Sequence, residues 1–357
     1  MNRTQIEAKV NSYLQLVAKQ GASDLHLSAE QLPILRIDGR LYPITEEKKL
    51  SEQDMEEMAK VILNEEQYRR LQKEKQIDFS IDLKGKARFR VNIYFQRGRI
   101  SAAFRMIPSN VRTLEELNLP PTLYELTKPS QGFVLVTGPC GHGKSTTLAA
   151  LIDYINHSRQ DHIITIEDPI EYLFKPDMCI IDQREIFQDA TDFPTALRAV
   201  FREDADVVMV GEMRDLETIG TAITAAETGH LIFATLHTND AAQTIDRMVD
   251  VFPAHQQNQI RMQLAQSLLG IISQRLVNRV SGGRVPAVEI LFNNNAVSNL
   301  IREGKTHQIN LVIETSKEQG MVSINRSLAD LVKQGIISFE EAQIYSPNLQ
   351  ELKTLLR

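Results

Sequence analysis

Tryptophan is absent from this chain of 357 residues, and cysteine is scarce, with two residues in all. Two cysteines form neither the disulfide framework of a small secreted domain nor a four-cysteine metal site. Cys140 also falls inside a glycine-rich loop, where a disulfide would disrupt the backbone. A reducing cytoplasm is therefore the expected compartment.

Long apolar runs and an excess of positive charge are also missing. No apolar run approaches the roughly 18 residues that a membrane-spanning helix needs, and residues 1–7 lack the apolar core of a signal peptide. Asp and Glu outnumber Lys and Arg by 46 to 40, which gives a formal net charge of −6. We therefore expect a soluble chain without a transmembrane segment that does not bind nucleic acid through its overall charge.

What is present suffices for buried cores, since 42% of the residues are hydrophobic, and the length predicts two or three domains. Apolar residues at helical spacing predict helices over 4–20 and 51–73, the second with Ser51 as its N-cap. Alternating apolar residues elsewhere predict strands. Three pairs break these strands: Asp38-Gly39, Lys84-Gly85 and Arg97-Gly98. Residues 1–107 are thus predicted to form an α+β domain.

A different pattern follows a proline-containing linker over residues 108–121. Four apolar runs are candidate parallel strands with helices between them: 133–136, 163–166, 207–210 and 231–236. This order predicts a three-layer α/β core. Residues 255–280 and 323–343 are predicted to be helical and to form a C-terminal helical portion, so the second domain covers 122–357.

A glycine-rich loop follows the first of these strands: Gly138-Pro139-Cys140-Gly141-His142-Gly143-Lys144-Ser145-Thr146. It fits the phosphate-binding pattern G-x-x-x-x-G-K-[ST]. Glycines let backbone N–H groups curl around phosphate oxygens, and the next helix directs its positive N-terminus at them. Lys144 is expected to reach the β- and γ-phosphates of ATP, and the Ser145 hydroxyl to hold Mg²⁺.

Carboxylates follow two further predicted strands, at the sheet edge where ligands bind in such folds. One strand leads into Glu167 and Glu171, and the next leads into Glu212. An acid presented after an apolar strand, about 70 residues beyond a phosphate loop, is expected to position a metal ion or the attacking water. Glu212 is therefore the predicted catalytic acid.

Two histidines, His230 and His237, bracket the last predicted strand. Either they stabilise phosphate charge, since histidine titrates near neutral pH, or they are strand-end residues with satisfied hydrogen bonds. Metal binding is not expected, because no third ligand lies at a standard spacing.

Several arginines occupy the strands of the first domain: Arg88, Arg90, Arg97, Arg99 and Arg105. They form either a solvated strand face or a set from which some residues reach the γ-phosphate of a neighbouring subunit, as arginine fingers do.

With these motifs the chain resembles the retraction ATPases of type IV pili, within the larger family of secretion ATPases. The resemblance covers nearly all of the chain and extends to further segments: 22–27, 87–92, 162–171, 210–219, 227–238, 244–247 and 250–253. It implies a PAS-like N-terminal domain, a RecA-like P-loop ATPase domain with C-terminal helices, and a homohexameric ring. Such a ring would use ATP hydrolysis to drive pilin subunits out of the fibre.

The resemblance also implies roles for single residues. Glu212 would be the Walker B acid, also near the metal, and Glu167 and Glu171 the residues of an acidic box. His230 and His237 would be a histidine-box pair. Matched by motif, Arg90 and Arg105 would be the arginines given to the ATP of the next subunit. The implied setting is the cytoplasmic face of the inner membrane, against a platform protein of the pilus.

Some positions depart from the family pattern. Cys140 and His142 stand where threonine and serine are usual, but both lie between the fixed glycines, so binding should survive. Gln131 replaces a frequent arginine and receives no role, and residues 204–206 lack a central proline, which we interpret as neutral. Ser298 replaces the first arginine of a segment tied to retraction rather than to hydrolysis.

Four alternatives remain at this point. Ser298 leaves open an accessory retraction ATPase, whereas residues 213–216 favour the main type. An assembly or type II secretion ATPase usually carries an extra N-terminal domain and often four metal-binding cysteines. A non-hydrolysing scaffold is disfavoured by the intact Lys144, Ser145 and Glu212. A DNA-translocating motor would require a positive chain.

Overall fold

The computed structural model describes residues 3–37, 39–83, 87–107 and 110–357. The chain divides into two compact units. The first unit consists of Met1–Asn110 and Asp168–Leu173, and the second of Val111–Glu167 and Phe174–Arg357. Much of the predicted linker thus groups with the second unit, and a short acidic segment from the middle of the chain groups with the first.

In its described residues, the first unit is an antiparallel sheet with three helices. Its elements are α1 (Arg3–Gln20), β1 (Asp24–Ser28), β2 (Ile34–Ile37), β3 (Arg40–Pro43), α2 (Glu52–Ile62), α3 (Glu65–Glu74), β4 (Gln76–Asp82), β5 (Arg88–Gln96) and β6 (Arg99–Ile107). The strand order is β3-β2-β1-β6-β5-β4. Alternate residues of β5, such as Phe89 and Val91, are buried with the apolar face of α1. This alternation is why the sequence pattern predicted the strands.

The predicted helix over 51–73 is two helices rather than one. Ser51 caps α2 as predicted, but Asn64 caps α3 in the same way, since its side chain accepts the N–H of Gln67. This second capping box starts a new helix, so the predicted helix is divided between Ile62 and Glu65. The predicted break at Arg97-Gly98 joins β5 to β6, and both residues have positive φ. The other two predicted breaks fall wholly or partly outside the described residues, at Asp38 and at Lys84-Gly85.

The second unit is a mixed sheet between helices. Its elements are β7 (Gly132–Thr137), α4 (Lys144–Ser158), β8 (His162–Glu167), β9 (Ile180–Glu185), α5 (Phe193–Val200), β10 (Val207–Val210), α6 (Leu216–Glu227), β11 (Leu231–Leu236), α7 (Ala241–Asp250), α8 (Ala254–Ser267), β12 (Leu268–Asn278), β13 (Arg284–Phe292), α9 (Asn295–Arg302), α10 (Ile309–Thr315), α11 (Ile324–Lys333), α12 (Phe339–Tyr345) and α13 (Leu349–Leu356). The strand order is β13-β12-β7-β11-β10-β8-β9. The four predicted strands are its adjacent parallel members β7, β11, β10 and β8. In the part of the chain that the structure describes, no helix combines the length and apolarity that a membrane crossing needs.

The helical prediction for 255–280 is wrong in its second half, where β12 begins at Leu268. Strand β12 is mostly buried, including its polar residues Ser273 and Gln274, so its sequence lacks the apolar–polar alternation that marks a half-exposed strand. Gly270 permits close approach of β13, because a Cβ there would lie 2.7 Å from the Leu291 carbonyl oxygen. The predicted helix over 323–343 is likewise two helices, α11 and α12.

Candidate functional site

The phosphate-loop sequence lies between β7 and α4, as its motif requires. Gly138 and Gly143 have φ values of +141° and +84°. A Cβ at Gly138 would lie 2.4 Å from the Gln274 carbonyl oxygen, so only glycine fits there. Gly143 caps α4 without a side-chain hydrogen bond, which leaves the first N–H groups of the helix for a ligand. The loop therefore has the backbone shape of an anion cradle.

The side chain of Lys144 is buried and lies back across this loop. Its Nζ donates to the carbonyl oxygens of Gly138 (2.9 Å) and Pro139 (3.0 Å) and lies 3.4 Å from Nδ1 of His237. Burial lowers the pKa of Lys144, and the nearby Glu212 carboxylate opposes this shift. The ammonium group is thus held at the loop by weak carbonyl partners that a phosphate oxygen would outcompete.

Glu212 lies close to this lysine because β11 alone separates β10, which precedes Glu212, from β7, which precedes the phosphate loop. Nη2 of Arg214 donates to one Glu212 carboxylate oxygen at 2.8 Å and lies 2.7 Å from the other. Nε2 of His237 is 3.7 Å from Oε2 of Glu212. The carboxyl ends of neighbouring parallel strands thus bring Lys144, His237 and Glu212 to one edge of the sheet.

The contacts of His237 define its protonation. An ammonium group only donates hydrogen bonds, so Nδ1 facing Lys144 is the acceptor and the proton lies on Nε2, toward Glu212. The His237 side chain is half exposed, and its partial desolvation lowers its pKa; the positive charge of Lys144 lowers it further, whereas Glu212 raises it. His237 is therefore a neutral bridge between the phosphate-loop lysine and the predicted catalytic acid.

His230 does not join this group within the chain. It precedes β11, whereas His237 follows it, and six strand residues span roughly 20 Å. Nδ1 of His230 lies 3.1 Å from the Ala225 carbonyl oxygen, and its ring meets Phe201 edge-on at 5.5 Å. The chain's own geometry supports the strand-end interpretation of His230 and brings only His237 to the loop.

The predicted acidic residues separate between the two units. Glu167 ends β8 and is 4% exposed, and its Oε1 accepts hydrogen bonds from Thr165 (2.8 Å) and Gln183 (3.4 Å). Glu171 belongs to the first unit, where Arg90 donates to its carboxylate at 3.0 Å. Glu167 is thus a buried neighbour of the strand that carries Glu212, while Glu171 is an ion-pair partner of a predicted arginine finger.

Both predicted finger arginines have acidic partners in their own chain. Besides Glu171, Arg90 has Asp78 at 3.9 Å. Arg105 donates to Asp24 at 2.8 Å, yet its side chain remains 70% exposed. Each guanidinium is therefore oriented by a carboxylate while much of its surface faces solvent.

Strand β12 supports the phosphate loop through residues that the sequence analysis missed. Gln274 accepts the Thr147 hydroxyl at 2.7 Å and donates to the His142 carbonyl at 2.8 Å. The Leu276 N–H donates to Nδ1 of His142 at 2.8 Å. Histidine at this loop position therefore has a defined structural partner. Gly282-Gly283 between two apolar stretches is a hairpin signal that would have revealed β12 and β13.

A cavity of about 310 Å³ lies beside the loop within the second unit. Its polar lining includes Arg112, Glu116, Thr146, Arg279 and Arg284. This volume is within the range of small-molecule sites and suits a nucleoside placed next to the phosphate cradle. The arrangement can therefore hold a nucleotide with its phosphates at Lys144 and its base in the cavity.

Comparisons with known proteins show which family the chain is similar to. The family model described as type II/IV secretion system protein matches residues 1–344. The chain is 47% identical to the type IV pilus retraction ATPase PilT of Pseudomonas aeruginosa over 94% of this chain and 97% of the relative. It is 48% identical to a twitching motility protein of Neisseria gonorrhoeae over 90% and 86%. A crystal structure of the pilus retraction motor PilT with bound ADP superposes with a TM-score of 0.90 at 46% identity, covering 97% of this chain and 99% of that one.

Proposed function

The chain belongs to the type II/IV secretion system protein family, and we propose that it is an ATP-hydrolysing motor that powers retraction of a type IV pilus and hence twitching motility. The observation that carries the proposal is the convergence of Lys144, His237 and Glu212 beside a glycine loop shaped for phosphate. Nearly full-length similarity to retraction ATPases supports the cellular role.

ATP would bind with its phosphates in the loop from Gly138 to Thr146. Backbone N–H groups and the N-terminus of α4 would face the phosphate oxygens. Lys144 would exchange the carbonyls of Gly138 and Pro139 for the β- and γ-phosphates, a stronger charge-assisted contact. This exchange also releases Nδ1 of His237, so nucleotide binding and the state of His237 are linked.

Glu212 would align the water that attacks the γ-phosphorus. Phosphoryl transfer depends mostly on positioning and electrostatics, and a carboxylate oriented by Arg214 is pre-organised for that role. His237 would support Glu212 through its Nε2 proton. Buried Glu167 would fix the adjoining strand end beside Gly211, where a Cβ would meet Glu167 at 3.4 Å.

The donor set suits Mg²⁺, which supplies charge neutralisation to the phosphates when bound. Mg²⁺ prefers hard oxygen ligands and is often held by one or two protein groups plus substrate phosphates. The Ser145 hydroxyl is exposed at the start of α4, and Glu212 presents a carboxylate. Within the described residues no cluster of three or more His, Cys, Asp or Glu could hold a metal unaided, which fits a metal that comes with ATP.

The working assembly is a homohexamer in which Arg90 and Arg105 stabilise the γ-phosphate of a neighbouring chain. The ion pairs orient both arginines without burying them. An arginine that acts on a neighbouring chain must be exposed in this way. The ring would act in the cytoplasm against a platform protein of the inner membrane.

Two experiments test the proposal. Purified protein should release phosphate from ATP with Mg²⁺, and the Lys144→Ala variant should not. Deletion of the gene should leave cells with excess surface pili and no twitching. Absence of hydrolysis under assembling conditions would contradict the enzyme assignment, and bald cells would indicate an assembly motor.

The departure at Ser298 bears on the choice between a main and an accessory retraction motor. Ser298 is buried, and its hydroxyl lies 2.9 Å from the Ala265 carbonyl oxygen, so it is a packed part of α9. The same deletion separates the two roles, because retention of motility would indicate that another motor carries the main load.

A further inference from the structure

Glu289 is a buried carboxyl group that the mechanism above does not use. It lies in β13 opposite Ser273 of β12 and is 6% exposed. Its Oε1 accepts the N–H of Ala241 at 2.8 Å. Ala241 is the first residue of α7 and immediately follows residues 237–240, the His237 loop. The carboxyl group therefore holds the end of the loop that carries His237.

Arg275 of the adjacent strand provides a second contact to the same loop. Its Nη2 donates to the side-chain oxygen of Asn239 at 2.8 Å and to the Asn239 carbonyl at 3.2 Å. The preceding residue, Gln274, bonds the phosphate loop through His142. The β12–β13 hairpin thus fixes the phosphate loop and the His237 loop from one rigid element.

We propose that Glu289 is a positioning residue for ATP hydrolysis, which anchors the His237 loop at Ala241 and thereby keeps the His237 ring between Lys144 and Glu212. The inference rests on the proposed function. The ring contacts its two partners at 3.4 and 3.7 Å, so a displacement of about 1 Å would break both and is of the size that costs up to roughly 100-fold in rate.

The hydrogen bond between Glu289 and the Ala241 N–H depends on an acceptor oxygen rather than on charge. Burial raises the pKa of Glu289 to about 7, and the charge of Asp240 adds to this, whereas the Ala241 N–H and Arg275 oppose it. Acid and carboxylate are therefore both populated near neutral pH, and each form keeps an oxygen that can accept the Ala241 N–H. Glutamine keeps such an oxygen as well, but methionine of similar length does not.

The test compares Glu289→Gln with Glu289→Met, which differ mainly in that oxygen. We expect kcat to stay within about twofold of the wild type for Glu289→Gln and to fall roughly tenfold for Glu289→Met. KM for ATP should be nearly unchanged, because Gln274 rather than Glu289 contacts the phosphate loop. The matched control is the same pair at Glu351, which accepts a hydrogen bond from Asn325 in the C-terminal helices. Both Glu351 variants should keep the wild-type kcat.

A double-mutant cycle shows whether Glu289 acts through His237. If it does, Glu289→Met should have no further effect on kcat in a His237→Ala background. Full additivity in that cycle, or equal loss in the Gln and Met variants, would overturn the inference. A wild-type protein without ATP hydrolysis would instead overturn the proposed function, so the two failures are distinguishable.

Discussion

The two units differ in how far they bury the charged groups of the proposed site. In the second unit, Lys144 is buried, Glu212 is largely buried, and His237 joins them, with the hairpin β12–β13 fixing both loops from behind. In the first unit, Arg90 pairs with Glu171 and Asp78 and Arg105 pairs with Asp24, yet their side chains are 39% and 70% exposed. Lys144 and Glu212, which are proposed to act within their own chain, can be enclosed by it, whereas arginines proposed to act on a neighbouring chain must stay accessible.

The largest effect is expected at the buried lysine. Lys144→Ala should abolish measurable ATP binding, because it removes the cation that faces the β- and γ-phosphates. Binding of a fluorescent ATP analogue measures this, and circular dichroism should show an intact fold. Lys128→Ala is the control, since Lys128 is exposed and pairs with Glu125 of the same turn. If the Lys144 variant bound ATP with the affinity of the wild type, the loop would not be part of the ATP site.

The exposed arginines should come next. Arg90→Ala or Arg105→Ala should lower kcat by about 10³, the usual loss for an arginine finger, while ATP still binds. Steady-state phosphate release and nucleotide titration separate these quantities. A loss of only twofold or threefold would mean that the pairs with Glu171 and Asp24 are ordinary surface ion pairs.

Removal of the charge at Glu212 should have a smaller effect. Glu212→Gln should keep ATP binding and lower kcat by roughly 100-fold, because an amide aligns water less well than a carboxylate. Glu217→Gln is a suitable control, since Glu217 is exposed and pairs with Arg198. Retention of more than about a tenth of the wild-type rate would move the catalytic role to Glu167 or Glu171.

The last expected effect concerns stability rather than rate and comes from the hairpin. Because the pKa of Glu289 is raised to about 7 in the folded chain from an ordinary 4.5, the folded state favours the protonated form. This preference adds to the free energy of unfolding. The contribution is complete below pH 4.5 and is lost as pH rises through 7, by at most about 3 kcal/mol. Thermal melts should therefore show that the Tm of Glu289→Gln rises relative to the Tm of the wild type between pH 5 and 8. A pH-independent difference would mean that Glu289 ionises normally.

The sequence predicted those features of the two units that local patterns encode. The phosphate loop, the strand before Glu212 and the strand before His237 follow from short motifs and apolar runs. The predicted fold class is confirmed by the structure and its similarity to PilT. The supporting hairpin was missed because β12 is buried on both faces and lacks alternation. The ion pairs Arg90–Glu171 and Arg105–Asp24 each join residues 81 positions apart, which no local pattern encodes.

The most direct test of the account mixes two inactive variants. The Lys144→Ala chain has intact arginines and a dead site, and the Arg90→Ala/Arg105→Ala chain has an intact site and no arginines. If hydrolysis requires the arginines of a neighbouring chain, mixed rings contain complete sites, and phosphate release should reappear and peak at an intermediate ratio. No phosphate release at any ratio, with mixed assembly verified by co-purification of differently tagged chains, would contradict the account.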